Sequence, residues 1–278
     1  MEHQKFSVAM CVYGGDNAEW FQTAVNSILD QTVPPDEVVL VVDGPVPEEL
    51  DCVICKYEQM PQFKMIRLAE NQGHGNARCC SLENCTYDLV ALMDADDISV
   101  ADRFEKQLEQ FAQDEALSIV GGNITEFCDE VEHVIGERIV PERHDEIVEY
   151  MKTRCPMNQV TVMFKKTDVT AVGGYIDWFC EEDYYLWIRM YLAGMQFANI
   201  PEALCYVRIG EEMYRRRGGW RYFKSEAKLQ KYMLDQHVIG AGTYLMNIAK
   251  RLVVQVLLPD QLRGWVFQKF ARKTVKQS

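Results

Sequence analysis

Short apolar runs alternate with amphipathic stretches along the first half of the chain. "FSVAMCVY" (6–13), "EVVLVVD" (37–43), "FKMIRL" (63–68) and "DLVALMD" (88–94) read as strands. Their near-continuous apolar character suits a sheet buried on both faces. Between them, "NAEWFQTAVNSILDQT" (17–32) sets Trp20, Phe21, Ala24, Val25, Ile28 and Leu29 at helical spacing. Helices are likewise predicted for "PVPEELDCVICKYEQM" (45–60), for "GHGNARCCSLENC" (73–85) with its glycine-rich entrance, and for "VADRFEKQLEQFAQ" (100–113). Successive strand–helix units of this kind predict a parallel sheet flanked by helices. Ligands of such sheets bind at the carboxyl ends of the strands. Asp43 closes the second strand and Asp94 the fourth, so both are expected on that edge.

After residue 115 the pattern changes. "LSIVGGNITEF" (117–127) and "QVTVMFKK" (159–166) read as strands, and "EVEHVIGERIVP" (130–141) as a hairpin or edge strand. "DEIVEYMKT" (145–153) and "EEDYYLWIRMYLAG" (181–194) read as helices, the second ended by Gly194. From about residue 210 the chain turns basic and helical without a clear linker. The expected organisation is one catalytic domain, 1–209, with a nucleotide half (1–115) and an acceptor half (116–209). A basic helical appendage, 210–278, follows.

Charge sharpens this division. Residues 205–278 hold 15 Lys/Arg against 5 Asp/Glu, whereas the preceding residues hold 14 against 37. The acidic body disfavours nucleic acid as a partner. No run approaches 18 uncharged apolar residues, and the N-terminus lacks a signal-peptide core, so a cytoplasmic protein is expected. The ten cysteines are irregularly spaced, and the one C-x-x-C (52–55) has no second pair to complete a zinc site. They are expected as reduced thiols.

"MDADD" raises the chemical question. As a helix start, Asp97 or Ser99 would cap a helix beginning near Val100. That accounts for one or two carboxylates, not for Asp94, Asp96 and Asp97 together. A divalent cation with hard oxygen ligands, completed by substrate phosphates, accounts for the cluster better.

Four stretches in order resemble the inverting GT-A glycosyltransferases of family 2. They are "FSVAMCVYGGDNAEWFQTAVNSILDQTVPPDEVVLVVDG", "NQGHGNARCCSLENCTYDLVALMDADD", "GGYIDWFCEEDYYLWIRMYLAG" and "IPEALCYVR", covering about residues 6–209. The bacterial exopolysaccharide and O-antigen transferases, amylovoran type included, resemble it further in a basic "LLP…LRGWVF" ending. The resemblance implies transfer of a hexose from a UDP-sugar, with inversion, to a saccharide that is usually lipid-linked. It implies Mn²⁺ or Mg²⁺ on Asp96, with Asp94 at the ribose or supporting the metal and Ala95 among the nucleotide-sugar contacts. Asp43 would accept from uracil, the backbone of Val12 and Tyr13 would flank the base, and Arg78 would stand near the nucleotide. Cys79 replaces the family's usual Asn. Gly73 and Gly75 would allow close backbone approach, with His74 a loop residue beside them, and Gly173 and Gly174 would form a loop over the donor sugar. Asp183 would be the catalytic base and Glu182 its orienting neighbour, although Glu181 blurs the register. Competing structural roles are a turn former for Asp43, a surface ion pair for Arg78, an N-cap for Asp183, core packing for Trp187 and an acid partner for Arg189.

The tail mixes arginines with aromatics in "MYRRRGGWRYFK" (213–224). It then runs apolar on one face and basic on the other through 244–276. Such a helix suits an anionic membrane surface, here the inner face of the cytoplasmic membrane, or packs on the acidic body. The first arginine run would also suit a diphosphate. Two other readings stand beside the transferase. A nucleotidyltransferase would need a basic loop after the first strand, and "CVYGGDNAEW" has no Lys or Arg. A non-catalytic scaffold would not need the intact acidic motifs.

Overall fold

The computed structural model describes residues 3–176, 178–210 and 218–258. Strands β1 (Phe6–Tyr13), β2 (Glu37–Asp43), β3 (Phe63–Arg67) and β4 (Leu89–Met93) pair in parallel in the order β3–β2–β1–β4. Register places Tyr13 beside Asp43, so these strands end together. The sheet continues through a short antiparallel strand, β8 (Met163–Lys165), to β6 (Leu117–Phe127). Next comes β9 (Gln196–Arg208), parallel to β6, and then the two-residue β5 (Ile98–Ser99). Because β8 runs against both β4 and β6, the latter run alike. Phe127 and Arg208 therefore emerge on the same edge as Asp43 and Met93. β7 (Val134–Arg138) forms the expected edge hairpin with β6.

Alternation along the strands feeds two cores. Val8, Met10, Leu40 and Ala91 pack against helices α1 (Ala18–Leu29), α2 (Glu48–Glu58) and α4 (Arg103–Gln113) through Phe21, Ile28, Ile54 and Phe104. Ala9, Val39 and Val90 face the other way, toward α3 (His74–Asn84), α5 (His144–Met151) and α7 (Glu182–Leu192), with α6 (Lys166–Ala171) preceding α7. Trp187 of α7 is fully buried in that second core.

Helices α8 (Gly219–Asp235) and α9 (Ala241–Arg251) extend the second core, and α9 continues as a π-helical segment, Leu252–Leu257. Leu229 and Met233 of α8 join it, and Ser225 Oγ donates to the Phe179 carbonyl at 2.6 Å. The arginine run 215–217 and the basic stretch 259–276 lie outside the described residues. Among the described residues no helix is long and apolar enough to cross a membrane.

Three expectations need correction. "QVTVMFKK" gives only the short β8, because its first part forms a 3₁₀ turn, Gln159–Thr161. There Thr161 Oγ1 accepts from Gly122 N at 3.0 Å and Asn158 Nδ2 donates to Gly122 O at 2.8 Å, replacing ladder bonds. The helix after the carboxylates starts at Arg103, not near Val100, and neither Asp97 nor Ser99 caps it. His74 is the first residue of α3 rather than part of a loop.

Candidate active site

The site lies on the shared strand-end edge. Asp43 leaves β2 and turns its buried carboxylate across to the entrance of α3. Its oxygens accept from Gln72 N at 2.7 Å and Gly73 N at 3.1 Å. Two glycines make this approach possible. Gly44 (φ 85°) lies where a Cβ would meet Asn71 N at 2.6 Å, and Gly73 (φ 87°) occupies the left-handed region. Val12 is buried and Tyr13 half exposed at the adjoining end of β1.

Arg78 of α3 is buried, not the surface cation its alternative reading requires. Its Nη2 donates to Asp94 Oδ1 at 2.7 Å, while Nη1 is buried without a hydrogen-bond partner. Burial alone would lower this guanidinium, but the nearby charges of Asp94, then Glu182, outweigh it and hold it above its ordinary value.

The carboxylates of the turn lie close together beside that pair. Asp94 and Asp96 are partly exposed, Ala95 between them is buried, and Asp97 is buried. Asp97 Oδ1 accepts from Arg208 N at 2.9 Å, which stitches the end of β9 to the turn. Burial, then the charges of Asp96 and Asp94, push Asp97 well above the usual carboxylate range. Asp16, which the sequence reading missed, joins the group. Burial pushes it up to about 6, with Asp96 and Asp94 adding to the effect. Its signal was its place just past a strand end, in "YGGDN". Two further cations went unnoticed. Arg103 lies fully buried beneath the turn and donates to Leu92 O at 2.9 Å. The Arg208 guanidinium sits 4.4 Å from the Trp20 ring centroid and 4.6 Å from that of Phe127. Among the described residues no group of three His, Cys, Asp or Glu side chains forms a metal cage by itself.

The start of α7 supplies the opposite wall. Its three acids separate: Glu181 is buried toward the C-terminal helices, Glu182 acts on Arg78, and Asp183 meets Cys155. Asp183 is not the N-cap; Glu181 holds that position and makes no capping bond. Asp183 Oδ2 lies 3.8 Å from Cys155 Sγ, whose thiol is kept protonated by burial and by the Asp183 charge. Tyr175, also missed, is buried where the charges of Arg78, Asp183 and Glu182 all act on it. Among the described residues Arg189 pairs with no acid. It donates to the carbonyls of Val172 and Gly174 and stacks over Tyr185, fixing the Gly173–Gly174 turn that leads into Tyr175. Cys79 holds the same segment, with Sγ 3.2 Å from Tyr175 O.

Residues 7–173 match the family model "Glycosyl transferase family 2". A UDP-Gal:alpha-D-GlcNAc-diphosphoundecaprenol beta-1,3-galactosyltransferase of Escherichia coli is 35% identical over 97% of this chain and 97% of its own length. The chain belongs to glycosyltransferase family 2. The transferase is also similar to the amylovoran biosynthesis glycosyltransferase AmsE of Erwinia amylovora, 34% identical over 95% of this chain and 98% of that protein. In fold it resembles Staphylococcus aureus TarS 1–349 in complex with UDP-GlcNAc, with a TM-score of 0.65 at 16% identity, covering 95% of this chain and 79% of that one. It likewise resembles a Pyrobaculum calidifontis mannosyltransferase in complex with GDP-Man and Mn²⁺, with a TM-score of 0.63 at 14% identity, covering 95% and 79%. The expected GT-A architecture is thus the observed one.

Proposed function

We propose that the transferase moves a hexose from a UDP-sugar to a lipid-linked saccharide with inversion, in the synthesis of a bacterial surface polysaccharide. One observation carries this reading. Arg78 joins the carboxylate turn, by its bond to Asp94, to the α7 start, by the charge of Glu182. This link supports a reading in which the donor's diphosphate and the base lie on either side of one buried cation. The unpartnered Arg78 Nη1 suits a phosphate oxygen.

The residues fit a divalent ion. Asp16, Asp94, Asp96 and Asp97 lie within one another's influence, and the partly exposed Asp94 and Asp96 offer hard oxygen donors there. Asp96 would hold Mn²⁺ or Mg²⁺ with support from Asp94, and the ion would neutralise diphosphate charge. Asp43, already fixed by two backbone N–H groups, keeps lone pairs for the uracil N3–H, beside Val12 and Tyr13. Ala95 packs under the ribose. On the other wall, Asp183 takes the proton of the acceptor hydroxyl, whose oxygen bonds to the anomeric carbon as the bond to the diphosphate breaks and UDP leaves. Glu182 orients this wall.

The acceptor side rests on the C-terminal helices. Leu245, Met246, Val253 and Leu257 are exposed along α9 and its continuation, with Trp220 on α8 and Lys224 and Lys250 nearby in sequence. We take this as a peripheral contact with an anionic membrane at its cytoplasmic face, near the lipid-linked acceptor.

Thermal shift with UDP, GDP, CDP and ADP, each with and without Mn²⁺, tests the donor site. Stabilisation is expected for UDP with metal, and no stabilisation by any of the four ends the donor reading. Transfer with the UDP-sugar and acceptor so selected should vanish in Asp183→Asn while UDP binding persists. Full transfer in that variant removes the base assignment.

A further inference from the structure

Helix α9 presents its polar side to the body of the transferase. Asn247, Arg251 and Gln255 recur every four residues and face inward, while Leu245, Met246, Val253 and Leu257 face out. Packing alone would favour the reverse. Each inward side chain has a defined partner. Asn247 Nδ2 donates to Gln230 Oε1 at 2.8 Å and to Lys152 O at 2.9 Å. Arg251 Nη2 donates to Thr153 O at 3.0 Å. Arg251 Nε lies 3.0 Å from Glu226 Oε2 without its N–H aimed there, so the contact is an ion pair, with the two side chains only 11% and 12% exposed. Gln255 Nε2 donates to the same carboxylate.

This lattice reaches the base by two routes. Glu226 acts by its charge on Glu181, the buried residue that opens α7, and Tyr222 acts on Glu181 in the opposite sense. Asp183 follows two residues later. Thr153 leads to Cys155, whose thiol meets Asp183 at 3.8 Å. Tyr184, next to Asp183, also lies within the influence of Arg251 and Cys155. Burial, then the charges of Glu226 and Asp183, hold Glu181 well above the usual carboxylate range. Arg251 is the cation set against these acids.

We propose that Arg251 is a positioning residue for the transfer reaction. From the C-terminal helix it fixes both walls around Asp183, one through Glu226 and Glu181 and the other through Thr153, and it balances the charge beside the base. This rests on the reading of Asp183 as base. The groups facing Asp183 are Cys155, Tyr175 and its own neighbours Glu181 and Glu182, with Arg78 beyond Glu182 and Arg138 beyond Cys155, where its Nη2 donates to Cys155 O at 2.7 Å. Without Arg251 the buried Glu226 carboxylate loses its cation beside Glu181, two residues before the base.

The test follows UDP release against pH for the whole chain of residues 1–278, with the UDP-sugar and acceptor selected above. Arg251→Met should lower kcat about tenfold and move the acidic limb of its pH profile up by about one unit, with KM for the donor almost unchanged. Arg251→Lys should keep most of the limb. Adding Glu226→Gln to Arg251→Met should return it, and Glu226→Gln alone should move it down. That single variant decides the matter if Arg251→Met does not fold. An unmoved limb in Arg251→Met, or in Glu226→Gln alone, overturns the proposal, as does a double variant that stays shifted. Asp183→Asn run alongside separates the two readings. Retained transfer there fails the base itself, whereas lost transfer with an unmoved limb fails only the role of Arg251.

Discussion

Replacing Arg78 by Met should move two affinities in opposite directions. The Arg78 side chain is 7% exposed and its partner Asp94 31%. Breaking a fully buried pair costs about 3–5 kcal/mol. Solvent at Asp94 screens the charge left behind, so the loss here should be about 1–2 kcal/mol, or about 3–6 °C in Tm. UDP loses a charge-assisted hydrogen bond on Nη1 and should bind about 10- to 100-fold more weakly. The carboxylates lose their cation at the same time. Mn²⁺ alone should therefore bind about tenfold more tightly, since a unit charge a few ångströms away is worth that much in a partly screened site. Calorimetric titration of the variant with Mn²⁺, and with UDP in the presence of Mn²⁺, reads both. Affinities that fall together, or stay unchanged while the fold persists, would refute the electrostatic account of this site.

Asp43→Asn should lose about 1–2 kcal/mol of stability, because its amide nitrogen cannot accept from Gln72 N or Gly73 N, and the preference for UDP over CDP in thermal shift should shrink. Glu181→Gln should flatten the pH dependence of unfolding. Glu181 is raised in the folded state, so the folded protein holds a proton that the unfolded chain releases, and wild-type stability falls as pH rises above the ordinary carboxylate range. Denaturant midpoints between pH 4 and 8 should thus fall more steeply in the wild type, and parallel curves would count against the buried protonated acid. Leu245→Glu with Leu257→Glu should abolish co-sedimentation with phosphatidylglycerol vesicles without lowering Tm, both side chains being exposed.

The β1–β4 half of the sheet was legible because its strands are buried on both faces and its helices repeat at 3.6 residues, as in Phe21, Val25 and Ile28. Asp43 and Asp94 were legible for the same reason: a strand end in a parallel sheet is a site position. What pairs with them was not. Asp97 looks like a cap in sequence, yet its donor is Arg208, 111 residues away. Arg189 looks like half of an ion pair, yet it holds two carbonyls of a turn. The triple acid 181–183 hid its register because successive residues at a helix start point about 100° apart. One therefore faces α8, one Arg78 and one Cys155. Short-range pattern does not encode which of these directions meets a neighbour.

The split between acidic body and basic tail takes on a specific meaning in the fold. Described cations of the C-terminal helices are engaged away from the carboxylate turn: Arg251 with Glu226, Lys231 with Asp235, Arg221 over Phe179 at 3.9 Å and Lys228 over Trp178 at 4.2 Å. At the turn, Arg78 is bonded to one of four crowded carboxylates. The turn thus gathers four carboxylates, with Arg103 buried beneath it and Arg208 at its edge, on the edge where an anionic donor is proposed to enter. A nucleoside diphosphate should meet the partly exposed Asp94 and Asp96 first and bind better once a cation sits on them. Binding of UDP and of Mn²⁺ should then be strongly coupled, each raising the affinity of the other by the same factor. Titrating UDP at several fixed Mn²⁺ concentrations, and Mn²⁺ at several UDP concentrations, should return one coupling constant well above unity. A value of one would mean that the acidic turn does not govern donor entry.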